Sequence, residues 1–208
     1  MHGNYNDALL PALHDTVQHY QIPREYLSAV LDGVEMDLEA VQYETFEQLK
    51  EYCYRVASVV GLACIHVWGF HGVHAEEYAI QSGIAFQLTN ILRDVGEDWE
   101  RNHIYLPEDM LVAEGVDLGK LLEPVSNAGL AKVCDHIADV AKAQFKDAEQ
   151  FIKSCDKSRV RPALIMKNVY QRLFLRILDR GWSRLHEPVV LSKFEKSALI
   201  LKSTLFSH

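Results

Sequence analysis

Apolar residues recur along this chain at the three-and-four spacing of helices, and no stretch alternates in the manner of a strand. Residues 7–20 place Leu9, Leu10, Leu13, Val17 and Tyr20 on one side, which predicts a short amphipathic helix with Pro11 in its first turn. Ile22-Pro23 breaks it and opens a second helix, 24–38, with Tyr26, Leu27, Val30 and Leu31 on one side. Thr45-Phe46-Glu47-Gln48 has the form of a capping box, so a long helix is expected from Phe46 to about Phe70. Its later turns are apolar almost all round, which makes it central. Gly69 to His74 suits a turn, and a further helix is expected over 75–98. Short helical pieces follow at 107–114 and 117–122, then long helices at 127–155 and 158–181, and a last one at 188–205. The expected fold is all-α, a bundle of six to eight helices forming one domain over residues 1–208.

Within this pattern one stretch is out of place. Gln87 to Asp98 carries Asn90, Asp94 and Asp98 four residues apart, and each step of four turns only about 40° around a helix, so the three stack along one face with Gln87 a turn above. The surrounding segment from Tyr78 to Leu92 is apolar or small and reads as buried. An acidic stripe on a buried helix calls for a cation. Two carboxylates one turn apart suit Mg²⁺, which takes hard oxygen ligands and completes its shell with water and phosphate oxygens. Beside them, Arg93 would meet the charge that grows on a departing diphosphate.

Composition narrows the setting. The 208 residues are 49% hydrophobic and 24% charged, ordinary for a globular domain, and no apolar run is long enough to span a bilayer. A net charge of −8 argues against a nucleic-acid surface, which needs a basic face. With no leader-like segment at the start, Cys53, Cys64, Cys134 and Cys155 are expected as reduced thiols and the chain as cytoplasmic. His66, His71 and His74 lack the partners of a zinc site. Asp32, Glu35 and Asp37 read first as a solvated face, with a share in metal or ligand binding as the alternative. Ala57, Gly61 and Ala63 permit either close helix packing, the first reading, or a cavity.

Gln87 to Asp98 followed by Ile104-Tyr105-Leu106-Pro107 closely resembles the second aspartate-rich motif of the squalene/phytoene synthase family. Leu31-Asp32-Gly33-Val34-Glu35-Met36-Asp37-Leu38, Tyr43-Glu44-Thr45-Phe46 and Tyr52 to Gly61 resemble its earlier landmarks in the same order, and Tyr170 with Ile177-Leu178 and Trp182 resembles its C-terminal helix. The resemblance implies an isoprenoid-synthase-type bundle around a central apolar cavity. It also implies head-to-head joining of two prenyl diphosphates, farnesyl or geranylgeranyl. One substrate ionises to an allylic cation, the second attacks through its double bond, and a cyclopropylcarbinyl diphosphate forms before any rearrangement to squalene or phytoene. On this resemblance Asp94, Asp98 and Asn90 would hold Mg²⁺, and Gln87, Asn90 and Arg93 would bind the diphosphate. Tyr52, Tyr170 and Arg93 would be catalytic, the tyrosines by hydrogen bonding phosphate or removing a proton, while Ala57, Val60 and Gly61 would line the tail channel. NADPH would be needed only for a squalene product.

The departures carry equal weight. The family's earlier D-x-x-x-D motif has no counterpart here, because Asp32 and Asp37 are five apart and belong to a later landmark, and His103 stands where many relatives carry arginine. The bundle is therefore expected to lack its first helices, leaving apolar surface for a missing N-terminal segment or an oligomeric partner, with peripheral membrane contact through substrate or product. The segment after Asp98 reads as a flap. The main alternative is a non-catalytic relative serving as a binding or assembly module; an ionising terpene cyclase is the weaker one, since it lacks the tyrosine-rich landmarks.

Overall fold

In a computed structural model of the chain, residues 9–38, 42–120, 127–155 and 159–205 are described. They fold into helices α1 (Leu9–His19), α2 (Arg24–Glu35), α3 (Phe46–Cys53), α4 (Val59–Trp68), α5 (Val73–Glu100), α6 (Glu108–Ala113), α7 (Asn127–Ile152), α8 (Arg161–Arg180) and α9 (Lys193–Leu205). The all-α expectation holds: among the described residues the only strand-like feature is an isolated bridge between Gln42 and Ile104. No described helix is long and apolar enough to cross a membrane.

The long central helix predicted from Phe46 is interrupted by one wide turn. Thr45 caps α3 as expected: its hydroxyl accepts from the Gln48 amide at 3.4 Å while the Gln48 side chain accepts from the Thr45 amide at 3.4 Å. After α3, Tyr54–Ser58 forms a π-turn before α4 resumes. Its cause is visible across the interface, where Gly83 of α5 lies so close that a Cβ there would fall 2.4 Å from Ser58 Cα. Ser58 then donates its hydroxyl to the Ile80 carbonyl at 2.8 Å. Such a widened turn brings residues five apart nearer to one face than a regular helix would.

The last helix also begins later than the periodicity predicts. It starts at Lys193 rather than near Pro188, because Ser192 and Glu195 form a second capping box: the Glu195 amide donates to Ser192 Oγ at 3.2 Å and the Ser192 amide to Glu195 Oε2 at 3.0 Å. Arg176 and Arg172 of α8 both pair with Glu195. Arg180, grouped with them in the sequence pattern, turns inward instead and is 7% exposed.

α5 lies at the centre, packed along α7 and against α4, the π-turn and α8. Leu88 and Leu92 of α5, Leu130, Val133 and Ile137 of α7 and Ile177 of α8 are fully or almost fully buried. Each such side chain contributes on the order of 1.5–3 kcal/mol. A second cluster, built on Leu62, Ile65, Tyr78, Ala79 and Ala163, closes the other end. The four cysteines are free thiols, Cys53 and Cys134 buried in the core, where burial pushes the Cys134 thiol up to about 12. Leu9, Leu13, Leu31, Leu38 and Phe194 stand exposed.

Candidate active site

Between α4, α5 and α8 lies a cavity of about 260 Å³. Ala57, Val60 and Gly61 form one wall, Phe86, Ala163 and Met166 another, and Trp68 and Tyr78 line it further along. Small residues here do both jobs considered from the sequence: Gly61 approaches α5 so closely that a Cβ would lie 3.2 Å from the Ala79 carbonyl, and it also opens space beside the backbone. Tyr78 donates its buried hydroxyl to the Ala163 carbonyl at 2.8 Å, fixing α8 against α5. Gln87, Asn90 and Tyr170 line the same cavity and supply polar groups to an otherwise apolar lining. Tyr170 stacks on Phe86, ring centroids 4.2 Å apart.

From Asn90 a chain of hydrogen bonds runs to Asp37 in the turn after α2. Asn90 Nδ2 donates to Gln87 Oε1 at 3.3 Å, and Gln87 Nε2 donates to the Tyr52 hydroxyl oxygen at 3.4 Å. Tyr52, 3% exposed, donates in turn to Asp37 Oδ2 at 2.8 Å. Tyr105 donates to Asp37 Oδ1 at 2.9 Å, and its ring stacks on that of Tyr52 at 5.4 Å. Burial, aided by the Asp37 carboxylate, pushes the Tyr52 phenol far above its ordinary range, so Tyr52 stays neutral. Asp37 and Tyr105 were not among the expected site residues. Asp37 sits in the turn after α2, set aside because its spacing from Asp32 fits no metal motif, and nothing in its local sequence shows which way it points.

The segment read as a flap is pinned rather than loose. Besides the bridge at Ile104, the Glu108 amide donates to the Tyr43 carbonyl at 2.8 Å and the Asp109 amide to that of Glu44 at 3.1 Å. Leu106 between them is buried. These bonds deliver Tyr105 to Asp37.

Further along α5 the acidic stripe spreads out. Eight residues of drift separate its ends, and while Asn90 faces the apolar cavity, Arg93 and Asp94 line a hollow with Glu97, His186 and Glu187. Asp98 borders a third hollow with His103 and Tyr105. Arg93 grips Asp94 through two hydrogen bonds, Nε to Oδ1 and Nη2 to Oδ2. Burial first, then the neighbouring Asp94 and Glu97, push the Asp98 carboxyl up to about 6. Behind the stripe, Arg180 donates to the backbone carbonyls of Leu92 and Arg93, both at 3.0 Å, and holds this turn of α5 in place. Among the described residues no group of three or more His, Cys, Asp or Glu side chains converges, so any cation would draw on Asp94, Asp98 and the Asn90 amide. These are hard oxygen donors, and Asp98 lies beside the carboxylates of Asp94 and Glu97; the chemistry of the donor set fits Mg²⁺. Of the three histidines, His66 and His71 pack edge to face with ring centroids 5.3 Å apart.

The family model for squalene/phytoene synthase matches residues 2–195 of this chain. The chain belongs to the squalene/phytoene synthase family. A presqualene diphosphate synthase of Sinorhizobium fredii is 31% identical over 199 residues, 94% of this chain and 71% of that protein. The phytoene synthase of Daucus carota is 38% identical over 163 residues, which are 74% of this chain and 39% of that longer protein. A dehydrosqualene synthase crystal structure superposes with a TM-score of 0.80 at 25% identity, over 96% of this chain and 71% of that one. These relatives are synthases by name, and they weigh against the reading of the chain as a non-catalytic module. As a member of this family the chain is an enzyme of the prenyltransferase class.

Proposed function

We propose that this squalene/phytoene synthase family member condenses two prenyl diphosphates head to head. The carrying observation is the lining of one cavity: apolar positions at Ala57, Val60 and Gly61 run into Tyr170 of α8 and into Gln87 and Asn90 of α5, the helix that also carries Asp94 and Asp98. A prenyl tail fits the first part, and a diphosphate is drawn to the second.

Asn90, Asp94 and Asp98 would hold Mg²⁺, with water and diphosphate oxygens completing its shell. An ion held by these residues would supply positive charge to the departing diphosphate. Arg93 has one guanidinium for two tasks: paired with Asp94 as seen here, or exchanged onto the diphosphate, which frees Asp94 as a ligand. Tyr52 directs its proton at Asp37, so it offers lone pairs rather than a hydrogen to its other neighbours. This favours shielding positive charge with those lone pairs, or relaying a proton by taking one as its own passes to the Asp37 carboxylate, over donation to phosphate. Tyr170, stacked on Phe86 at the cavity wall, would meet the allylic cation with its other ring face. The apolar lining would keep water from that cation. Contact with a membrane surface through the apolar substrate or product belongs to the same proposal, as does a further segment or second copy completing the fold, and the exposed Leu9, Leu13 and Leu31 offer apolar surface for either.

The test is product analysis after incubation with farnesyl or geranylgeranyl diphosphate and Mg²⁺. A diphosphate of doubled chain length bearing a cyclopropane, or its hydrocarbon descendant, is expected. A single-chain alcohol or a cyclised terpene as the sole product would refute head-to-head coupling.

A further inference from the structure

We infer that Asp37 is a positioning residue that sets the direction of the whole hydrogen-bond chain from Tyr52 through Gln87 to Asn90, and so turns the Asn90 carbonyl oxygen toward the site. This rests on the function proposed above, since it concerns the same cavity.

The inference follows from counting donors and acceptors. An aspartate carboxylate only accepts. Tyr52 and Tyr105, each within 2.9 Å of one of its oxygens, must therefore both donate to it. With its single proton spent on Asp37, Tyr52 can only accept from Gln87, so Gln87 must present its NH₂ group there. That leaves Gln87 Oε1 on the side of Asn90, which must answer with its own NH₂ group. The remaining polar atom of Asn90, its Oδ1, is left for the cavity that Asn90 lines. Reversing any one amide would set two acceptors or two donors against each other. An anion in the turn after α2 thus decides which atom is offered more than fifty positions along the chain, and the atom offered is the one a cation takes.

Asp37 is held for this task by its backbone. The Asp37 amide donates to the Val34 carbonyl at 3.1 Å, and the turn is brought close by Gly33, where a Cβ would fall 2.8 Å from Arg55 Cβ and 2.9 Å from Val56 Cγ1. Tyr43 packs its ring beside those of both Tyr52 and Tyr105, centroids 5.5 and 6.2 Å away, and so buttresses the stacked pair. Residues that orient ligands in this way typically change affinity or activity about 10- to 100-fold when altered.

The test is Asp37→Asn, of equal size but with one donor and one acceptor, alone and in a Tyr52→Phe background. Two readouts are taken: the ¹³Cζ resonances of labelled Tyr52 and Tyr105, and the Mg²⁺ concentration giving half-maximal diphosphate release from farnesyl diphosphate. Expected in Asp37→Asn are shifts of both resonances and a Mg²⁺ requirement raised about 10-fold or more, with KM for the prenyl diphosphate within about twofold. In the Tyr52→Phe background the same substitution should add nothing, because its route to Asn90 is already cut. Unmoved resonances, or an equal effect in both backgrounds, would overturn the inference. If the unaltered chain turns over no prenyl diphosphate, the proposed function is what fails, and the resonances alone decide whether Asp37 directs the network.

Discussion

Gln87 and Asn90 lie about three and two turns before Asp98 on the same helix, yet the two ends of this site handle charge in opposite ways. At the tyrosine end a single carboxylate, Asp37, receives both phenol protons, and the amides behind it are ordered in sequence. At the aspartate end Asp94 is consumed by Arg93, and Asp98 is left with neighbouring carboxylates and little solvent. The first is complete as it stands and costs no reorganisation when a ligand arrives. The second is electrostatically loaded and gains when a cation enters. Substitutions should therefore act with opposite signs on stability at the two ends.

The largest loss is expected at the contact that supports the tyrosine end. Gly83→Ala would drive a methyl to within 2.5 Å of the Ser58 amide nitrogen, so α5 and the π-turn must part, and the denaturant midpoint should fall by the equivalent of about 3 kcal/mol. An unchanged midpoint would mean that the wide turn is not held by this contact. Next comes Tyr52→Phe, which leaves Asp37 and Gln87 each short of a buried partner and should cost about 1–3 kcal/mol, read from the same unfolding curves.

At the aspartate end the sign reverses. Asp98 has a folded pKa of about 6 against an ordinary 3.8, so the folded chain binds a proton there more tightly than the unfolded chain does. Its contribution is unfavourable above pH 6, diminishes as pH falls between the two values, and vanishes below the lower one. Without metal, Asp98→Asn should be more stable than the parent at pH 7 by about 1 kcal/mol after solvent screening, with the advantage gone near pH 4. Thermal melts across that range in a chelator, repeated with Mg²⁺ present, measure it. An Asp98→Asn chain less stable than the parent at pH 7 would erase the contrast between the two ends.

What could be read from the sequence divides along the same line. Helical periodicity locates every long helix, and the Asn90, Asp94, Asp98 spacing with its flanking motifs points to the family from sequence alone. Those signals are local. The π-turn was not legible, because it arises where Gly83 meets Ser58 from another helix. Asp37 is not marked by the sequence for the same reason: its partners Tyr52 and Tyr105 lie 15 and 68 residues away, and an acid in a turn carries no mark of its direction. Arg180 shared a helical spacing with two surface arginines, and only the packing of α8 on α5 turns it to the Leu92 and Arg93 carbonyls. The capping box at Ser192 was in the sequence, and S-x-x-E ahead of an apolar run is the signal that places the start of α9.

The most direct measurement of the ionising role proposed for α5 is Mg²⁺-dependent release of diphosphate from farnesyl diphosphate by the parent chain and by Asp94→Asn, both checked for an unaltered fold. Release by the parent, reduced about 100-fold or more by the substitution, is the expected result. Equal turnover by the two chains would contradict it and remove Asp94 from the chemistry.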